Sequence, residues 1–392
     1  ITIDGEVNHC KAEDFVFVEH LKSYELHAIT DVRMLAMGCV IESQRTKLYP
    51  ILFEPNLRTM VWGGRRLTEW KNLPLQDNIG ESWEVSTHDL LPSVIANGTW
   101  AGYELREVIA KMPEAILGKA VAKKYENQLP LLVKLIDTKS DLSVQVHPDD
   151  TMAQREHNDR GKTEMWYVVD AEKDAYIYAG FKEELSPEEY AKRVADGSII
   201  EALAKHEIRT GDVFYIPAGR VHAIGKGVIL VEIQQSSDLT YRIYDYGRMG
   251  LDGKPRELHT ELAAQALDYQ VYKEYKNSYT DSIDKANPCL DTEHFSVRVV
   301  SIKQAIRRNM IGYDSFVIQT CTKGACTVRI RSTQDEIRLE ESQSCLIPAA
   351  IADYDIIPIS PEVKLLESYI NNSTQSTLKK LISQFLHMSS NV

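Results

Sequence analysis

The sequence predicts a mainly β protein: a barrel or jelly roll that carries helical insertions, followed by a second β domain. From Lys47 onward the chain is a series of short apolar runs closed by turn residues such as Gly63-Gly64, which is the pattern of many short strands. After Pro288 almost every segment has strand character. A chain of 392 residues is long for one domain and comfortable for two.

Changes in the residue pattern along the chain predict four parts. Residues 1–46 have no clear period and form an N-terminal extension of unknown structure. The first β domain is expected over 47–288 and the second over 289–370. Residues 371–392 are expected to be a tail, with a polar linker and a short amphipathic helix.

Helical insertions are expected in the first domain, near 101–128, 186–206 and 256–268. The first has apolar residues at three- and four-residue spacing between Glu104 and Tyr125. The second begins with a capping box, in which Ser186 caps the free amides and Glu189 closes the box. Gly197 is expected to end this helix, and SIIEALAKH to continue as a second short one.

The charge balance excludes one broad class of partner. The chain has 45 Lys and Arg against 57 Asp and Glu, a formal net charge of −12, whereas nucleic-acid binding needs a basic surface. We therefore expect no nucleic-acid partner. Any anionic substrate must be held by a local cluster of Lys and Arg acting against the overall field.

Apolar runs and cysteines predict the compartment. The longest apolar run, Met34 to Ile41, has about eight residues, whereas a membrane-spanning helix needs roughly 20, so we expect no membrane partner. No basic-then-apolar leader is expected near Ile1. The six cysteines include no C-x-x-C pair and are too sparse for a disulfide scaffold. These features predict a cytoplasmic protein with reduced thiols.

The alternating segment from Asp141 to His147 offers the first half of a metal site. Leu, Val and Val take one face, so a strand points Gln145 and His147 to the other, about 7 Å apart. Two ligand-type side chains on one strand can share a metal. The alternative is a polar face in contact with solvent.

The second half lies in the segment GDVFYIPAGRVH, which matches the second motif of cupins, G-x5-P-x-G-x2-H, at every fixed position. Pro217 ends a strand, Gly219 supplies the tight turn, and His222 begins the next strand, facing into the barrel. The usual Asn four residues after this His is Lys226 here. A histidine packed in the core is the alternative for His222 taken alone.

The first cupin motif normally carries H-x-H followed by a Glu. Here Gln145 takes the place of the first His, and Glu164 in KTEMWYVV is the natural third ligand beside His147 and His222. These side chains form a mixed nitrogen and oxygen site. Such a site suits a divalent metal such as zinc, with a position left open for substrate.

In combination, these motifs resemble type I mannose-6-phosphate isomerase in its short bacterial form. The resemblance runs from Lys47 to about Ile370. The matching segments are VWGG at 61–64, IGESWEVS at 79–86, LPLLVKLIDTKSDLSVQVHPDD at 129–150, GKTEMWYVVDA at 161–171, GDVFYIPAGRVHAI at 211–224 and VEIQQSSDLTYRIYDYGR at 231–248.

The resemblance implies the site residues. It implies one zinc ion per chain, with the metal ligands Gln145, His147, Glu164 and His222, of which the amide of Gln145 is the weakest. It implies the catalytic residues Arg242 and Asp238, from the segment S-D-x-x-x-R, together with Lys162. It implies the substrate-binding residues Trp62, Glu84, Lys162 and Arg242, with weaker candidates Ser82, Ser86 and Lys134.

Each of these side chains also has a structural alternative. Asp238 and Arg242 could form an ion pair that only stabilises the fold, and Lys162 could be a solvated loop lysine. Trp62 follows a strand, where an aromatic side chain usually belongs to the core.

The resemblance also implies the activity, which is the interconversion of mannose 6-phosphate and fructose 6-phosphate through a cis-enediol. Such a reaction needs a base, and the sequence does not identify it. Two alternatives share the barrel: another metal cupin enzyme such as an iron oxygenase, and an inactive protein that binds sugar phosphates. In the second domain Asp353 stands five residues after Pro348, where the first has His222 five after Pro217. We expect that domain to be a cupin-like fold without a metal.

Overall fold

The computed structural model describes residues 2–3, 6–7, 24–25 and 47–372. By its contacts the chain forms two compact units, Ile1–Leu48 and Tyr49–Val392. In the first, strands β1 (Thr2–Ile3), β2 (Glu6–Val7) and β3 (Tyr24–Glu25) pair antiparallel in the order β2-β1-β3. The helix expected in the tail lies outside the described residues.

The second unit begins with β4 (Ile51–Leu52) and continues into the first predicted β domain. The strands of that domain are β5 Leu57–Gly64, β6 Ile79–Val85, β7 Leu131–Thr138, β8 Val144–Val146, β9 Glu164–Ala171, β10 Tyr176–Phe181, β11 Leu203–Glu207, β12 Val213–Ile216, β13 His222–Ile224, β14 Val228–Gln235, β15 Tyr241–Tyr244 and β16 Lys276–Asn277.

These strands form two sheets that pack on one core. One sheet has the order β11-β10-β13-β8-β15 and the other β16-β12-β9-β14-β7-β5-β6. Ile177 and Ile224 from the first sheet share a buried apolar cluster with Trp166, Phe214 and Leu230 from the second. Side chains that alternate along the strands therefore reach a common interior, which we call the first barrel.

The helices of this unit are short. They are α1 Arg66–Trp70, α2 Leu105–Lys111, α3 Pro113–Leu117, α4 Lys119–Lys124, α5 Asp150–His157, α6 Pro187–Asp196 and α7 Thr260–Ala266, with 3-10 turns at Gly98–Trp100 and Ser198–Ala202. The Ser186 cap of α6 is as predicted, because the Ser186 hydroxyl accepts a hydrogen bond from the Glu189 amide. The predicted capping box is not closed, because the Glu189 carboxylate accepts from Arg193 instead. Its end at Gly197, in the left-handed conformation, is also confirmed.

Two helix predictions were wrong in detail. The helix expected from Glu104 to Tyr125 is three short ones, because Pro113 forces Met112 out of the helical conformation and Gly118 adopts a φ of 93°. The segment SIIEALAKH forms a single 3-10 turn, and the chain then enters β11 at Leu203. Apolar spacing alone did not reveal these breaks.

The remaining strands form the second β domain, again as two sheets. They are β17 Lys285–Asp291, β18 Ser296–Ile302, β19 Ile306–Asn309, β20 Val317–Lys323, β21 Cys326–Ile330, β22 Glu336–Leu339, β23 Ser344–Ile347, β24 Asp353–Pro358 and β25 Val363–Tyr369. The orders are β17-β18-β25-β20-β23-β4 and β19-β24-β21-β22. Strand β17 spans the boundary that we placed after Pro288, and β4 joins this sheet from the other end of the unit.

The second barrel, as we call these two sheets, repeats the pairing of the first. Its run β23-β20-β25-β18 matches β12-β9-β14-β7, and its run β22-β21-β24-β19 matches β11-β10-β13-β8. The mainly β fold and the second β domain are therefore as the sequence predicted. Among the described residues, no helix is long and apolar enough to cross a membrane.

Candidate metal centre and active site

Three buried side chains converge inside the first barrel. His147 follows β8, Glu164 begins β9 and His222 begins β13. Nε2 of His147 lies 3.5 Å from one Glu164 carboxylate oxygen, and Nε2 of His222 lies 3.4 Å from the other. The ligand atoms of all three lie within 4.8 Å of one another. Three separate segments of the sequence thus contribute one ligand atom each.

Both imidazoles are oriented by hydrogen bonds to the backbone. Nδ1 of His147 lies 2.8 Å from the carbonyl oxygen of Leu239, and Nδ1 of His222 lies 2.8 Å from that of Arg220. A proton on each Nδ1 leaves the Nε2 lone pairs facing Glu164. Burial lowers the pKa of both rings, that of His222 to about 3. Both rings are therefore neutral donors.

The centre leaves buried polar atoms without hydrogen bonds. Among the described residues, Nε2 of His147 and Oε1 of Glu164 neither accept nor donate a hydrogen bond, and Oε2 of Glu164 contacts the ammonium of Lys162. Burial favours the neutral form of Glu164, but the ammonium of Lys162 holds its pKa well below the usual range. An ionised carboxylate and two imidazole lone pairs, all buried, form a donor set that a divalent cation satisfies. The residues present fit a metal.

Gln145 reaches the same centre from β8. Its amide nitrogen lies 3.2 Å from Nε2 of His222, where it can donate a hydrogen bond to the ring. Turning the amide by 180° exchanges nitrogen and oxygen and presents an oxygen ligand in the same place.

Lys162 is buried beside the centre, with only 4% of its surface exposed. Its ammonium lies 2.9 Å from a Glu164 oxygen and 3.8 Å from an oxygen of Glu232. The alternative of a solvated loop lysine is therefore wrong. The side chain is fixed between two carboxylates at the edge of the donor set.

Glu232 is a site residue that the sequence reasoning missed. It lies on β14 and is nearly completely buried, with Lys134 at 3.4 Å and the indole nitrogen of Trp166 donating to it at 2.9 Å. Burial and the nearby Glu164 raise its pKa. A signal was available, because Glu232 is a lone acid in the apolar run VILVEI.

Asp238 pairs with Arg58 and Lys134. Its carboxylate lies 3.1 Å from the Arg58 guanidinium and 3.5 Å from the Lys134 ammonium. Burial works against its charge, but these cations lower its pKa to about 2. The alternative of an Asp238–Arg242 ion pair is therefore wrong. Arg58, which the sequence reasoning did not single out, takes that role.

Arg242 lies on β15 opposite Gln145 on β8. Its Nε donates to the Ser143 hydroxyl at 3.3 Å, and Nη1 to the backbone oxygen of Glu257 at 2.9 Å. Burial and the neighbouring Arg256 lower its pKa. The guanidinium is held by neutral acceptors.

Two further arginines stand near Arg242, and both are bound to one acid. Arg248 contacts Asp245 at 2.6 Å, and Nε of Arg256 donates to Asp245 at 2.7 Å. The cluster Arg242, Arg248 and Arg256 therefore carries more positive charge than Asp245 neutralises. In a chain of net charge −12, it is a local cationic patch of the kind that an anionic substrate requires.

Comparison with known proteins assigns the family. Residues 52–185 match the family model described as phosphomannose isomerase type I, catalytic domain. Mannose-6-phosphate isomerase ManA of Bacillus subtilis is 35% identical over 251 residues, which are 63% of this chain and 78% of that protein. The chain belongs to the mannose-6-phosphate isomerase family.

Other members of the mannose-6-phosphate isomerase family are also similar to this chain. That of Streptococcus mutans is 38% identical over 219 residues, which are 56% of this chain and 67% of that protein. The crystal structure of the mannose 6-phosphate isomerase from Bacillus subtilis has a TM-score of 0.72 and 31% identity, and the match covers 81% of this chain and 99% of that one.

Trp62 and Glu84, which the resemblance implies as substrate-binding residues, are both buried and make contacts within the protein. Trp62 is buried in the apolar cluster of the first barrel, which is the structural alternative for an aromatic residue after a strand. Glu84 is buried against the Lys71 ammonium at 2.7 Å and accepts from the Ser82 hydroxyl at 2.6 Å. The charge of Glu84 is thus neutralised by Lys71, which is not one of the two lysines beside Glu232.

Proposed function

We propose that the protein is a metal-dependent isomerase that interconverts mannose 6-phosphate and fructose 6-phosphate. The observation that carries the proposal is the buried His147–Glu164–His222 centre, in which Nε2 of His147 and Oε1 of Glu164 lack hydrogen bonds and the carboxylate touches Lys162. The names of the related proteins support the substrate.

The metal we propose is zinc, one ion per chain. His147, Glu164 and His222 would hold it, and Gln145 would add an amide oxygen. Imidazole and carboxylate donors suit zinc, and no thiol competes among these residues. A bound ion would supply a Lewis acid for polarising the substrate oxygens.

Glu232 is the general base in this proposal. The reaction moves one proton between C1 and C2 of the sugar, so the base must be buried and able to take and return a proton. Burial raises the pKa of Glu232, which makes it a stronger base than an ordinary carboxylate. Asp238, with a pKa of about 2, is a weak base. We assign Asp238 to positioning Lys134 and Arg58.

Lys162 and Arg242 are the cationic residues of the proposed reaction. Lys162 lies between Glu164 and Glu232, where its ammonium can stabilise negative charge that develops on the enediolate. Arg242 is permanently charged and serves as a ligand of substrate oxyanions, with Arg248 and Arg256 adding attraction for the phosphate.

The proposed compartment is the cytoplasm. The described cysteines Cys289, Cys321, Cys326 and Cys345 are buried free thiols. Burial raises the pKa of all four, that of Cys289 to about 12, so none is an activated thiolate.

An assay of the purified protein with mannose 6-phosphate, coupled to detection of fructose 6-phosphate, tests the activity. Metal analysis of the same sample tests zinc. Turnover with zinc at one equivalent is expected. No turnover at full metal content would indicate an inactive sugar-phosphate-binding protein, and iron in place of zinc would indicate a different metal cupin enzyme.

A further inference from the structure

Lys162 precedes the strand that carries Glu164, so the sheet does not hold it directly. Glu164 is the first residue of β9 and pairs with Ile216 on β12 and Gln234 on β14. Lys162 lies in the segment 161–163, which we call the lysine loop. Its ammonium nevertheless has a defined place, 2.9 Å from a Glu164 oxygen. The backbone of the lysine loop is therefore fixed by contacts other than the pairing of β9.

Gln235, the last residue of β14, holds the lysine loop with two hydrogen bonds. Its backbone amide donates to the carbonyl oxygen of Thr163 at 3.0 Å, and its side-chain oxygen accepts from the Thr163 amide at 2.8 Å. Both residues are buried. These bonds fix the peptide groups on both sides of Thr163, and one of those groups joins Thr163 to Lys162.

Asp150, the first residue of α5, binds both the lysine loop and Gln235. One of its carboxylate oxygens accepts from the side-chain nitrogen of Gln235 at 3.0 Å and from the backbone amide of Gly161 at 2.9 Å. The Lys162 amide donates to the carbonyl oxygen of Pro148 at 3.0 Å. All three backbone amides of the lysine loop thus have an acceptor. The Gln235 side chain is also fixed, because its oxygen meets a donor and its nitrogen an acceptor.

The lysine loop lies directly against the start of α5, and this requires glycine at position 161. A Cβ atom on Gly161 would lie 2.5 Å from backbone atoms of both Asp149 and Asp150. Only glycine allows such a close approach of two backbone segments. A change in the contacts of Asp150 or Gln235 is therefore transmitted to the backbone of Lys162.

We propose that Gln235 and Asp150 are positioning residues, which hold the Lys162 ammonium where the isomerase reaction needs it. This inference rests on the proposed function, in which Lys162 stabilises charge on the enediolate. The alternative is a structural role, in which Gln235 and Asp150 only support the fold. The two roles differ in what the same substitution does once Lys162 is removed.

Turnover of mannose 6-phosphate by the metal-loaded protein is the first test. Gln235→Leu removes both side-chain hydrogen bonds at similar size, so kcat should fall roughly tenfold to a hundredfold, the cost of displacing a catalytic group by about 1 Å. The metal should be retained, because Glu164 stays paired in the sheet. Gln154→Leu is the matched control on α5, where the exposed amide donates to Asn158 at 2.6 Å, and it should turn over normally.

The decisive comparison uses a Lys162→Met background. If Gln235 acts through Lys162, adding Gln235→Leu to Lys162→Met should lower kcat by less than about threefold, since the group that it positions is already gone. A further loss of tenfold or more in that background would overturn the proposal, because it would show an effect independent of Lys162.

Substitutions at Asp150 give a second comparison that does not disturb the buried side of the loop. Asp150 is exposed. Asp150→Asn keeps the acceptor oxygen and should retain kcat, whereas Asp150→Ala should lower it in the same direction as Gln235→Leu. Equal kcat values in the two Asp150 variants would overturn its assignment as a positioning residue.

Crystal structures of Gln235→Leu and Asp150→Ala separate this proposal from the proposed function. In both, the Lys162 ammonium should lie farther from Glu164 than the roughly 4 Å of an ion pair. An ammonium that still contacts Glu164 as in the wild type would overturn the positioning role, whatever the activity. A wild type that does not turn over mannose 6-phosphate would overturn the proposed function, and the crystal structures would still decide whether Gln235 and Asp150 position Lys162.

Discussion

Glu232 and Glu367 occupy equivalent positions in the two barrels. Glu232 on β14 lies opposite Lys134 on β7, and Glu367 on β25 lies opposite Arg298 on β18. Both carboxylates are buried. Glu367, however, is held by two guanidinium groups, those of Arg298 at 3.2 Å and Arg308 at 2.6 Å. The second barrel therefore has an acid opposite a base, as the first barrel does, but its acid is bound by two arginines.

Glu367→Gln should destabilise the protein without changing turnover by the folded fraction. Removing the charge leaves two arginines partly buried and unpaired, a loss typically of about 3–5 kcal/mol. Arginine lowers the pKa of Glu367 against the effect of burial, so its stabilisation is present above the ordinary pKa of Glu and is lost as pH falls through the lower, folded value. Denaturant unfolding at several pH values measures both effects. An unchanged free energy of unfolding would contradict this account.

Glu232→Gln should instead lower turnover without destabilising the protein. We expect a loss of roughly 10²–10⁴ in kcat, the usual contribution of a general base, with the metal retained. In the wild type, kcat/KM should rise with pH through the raised pKa of Glu232, and this limb should disappear in the variant. Steady-state kinetics across pH test it. A variant within threefold of wild-type kcat would remove Glu232 as the base.

Arg242→Ala separates a catalytic arginine from a structural one. If it stabilises charge that develops in the reaction, kcat should fall by roughly 10²–10³, while the melting temperature and metal content stay close to wild type. If it also holds the phosphate, KM should rise in parallel. Arg242→Lys keeps the charge but not the planar fork, so it should recover only part of the loss. Normal kcat in the alanine variant would leave Lys162 as the main cationic residue.

Asp353→Ala tests whether the second barrel takes part in the reaction. Asp353 is at the surface and pairs with Arg307 at 2.7 Å, and exposed pairs of this kind contribute little to stability because water screens them. Metal content and turnover should both be nearly unchanged. A large loss of rate with an intact fold would show that the second barrel contributes to the site.

The parts of the site that the sequence predicted are those fixed by local geometry. Pro217 and Gly219, which has a φ of 88°, set the turn before His222, and strand alternation pairs Gln145 with His147. The positions of these residues can be predicted from the neighbouring sequence alone.

The remaining contacts depend on register between strands far apart in the chain. Glu232 meets Lys134 and Trp166 because β14 pairs with β7 on one side and β9 on the other. Asp238 meets Arg58 across 180 positions of sequence. No local pattern encodes such pairings, so the alternative of an Asp238–Arg242 pair was wrong and Glu232 was missed.

The most direct test of the central claim is metal content and mannose 6-phosphate turnover, measured together on the wild type and on His222→Ala. His88→Ala, a histidine outside the centre, is the matched control. We expect one zinc and turnover in the wild type and the control, and loss of both in His222→Ala. Prolonged chelation should abolish the activity of the wild type, and added zinc should restore it. A His222→Ala protein that keeps a full equivalent of zinc, or that turns over normally without it, would contradict the account.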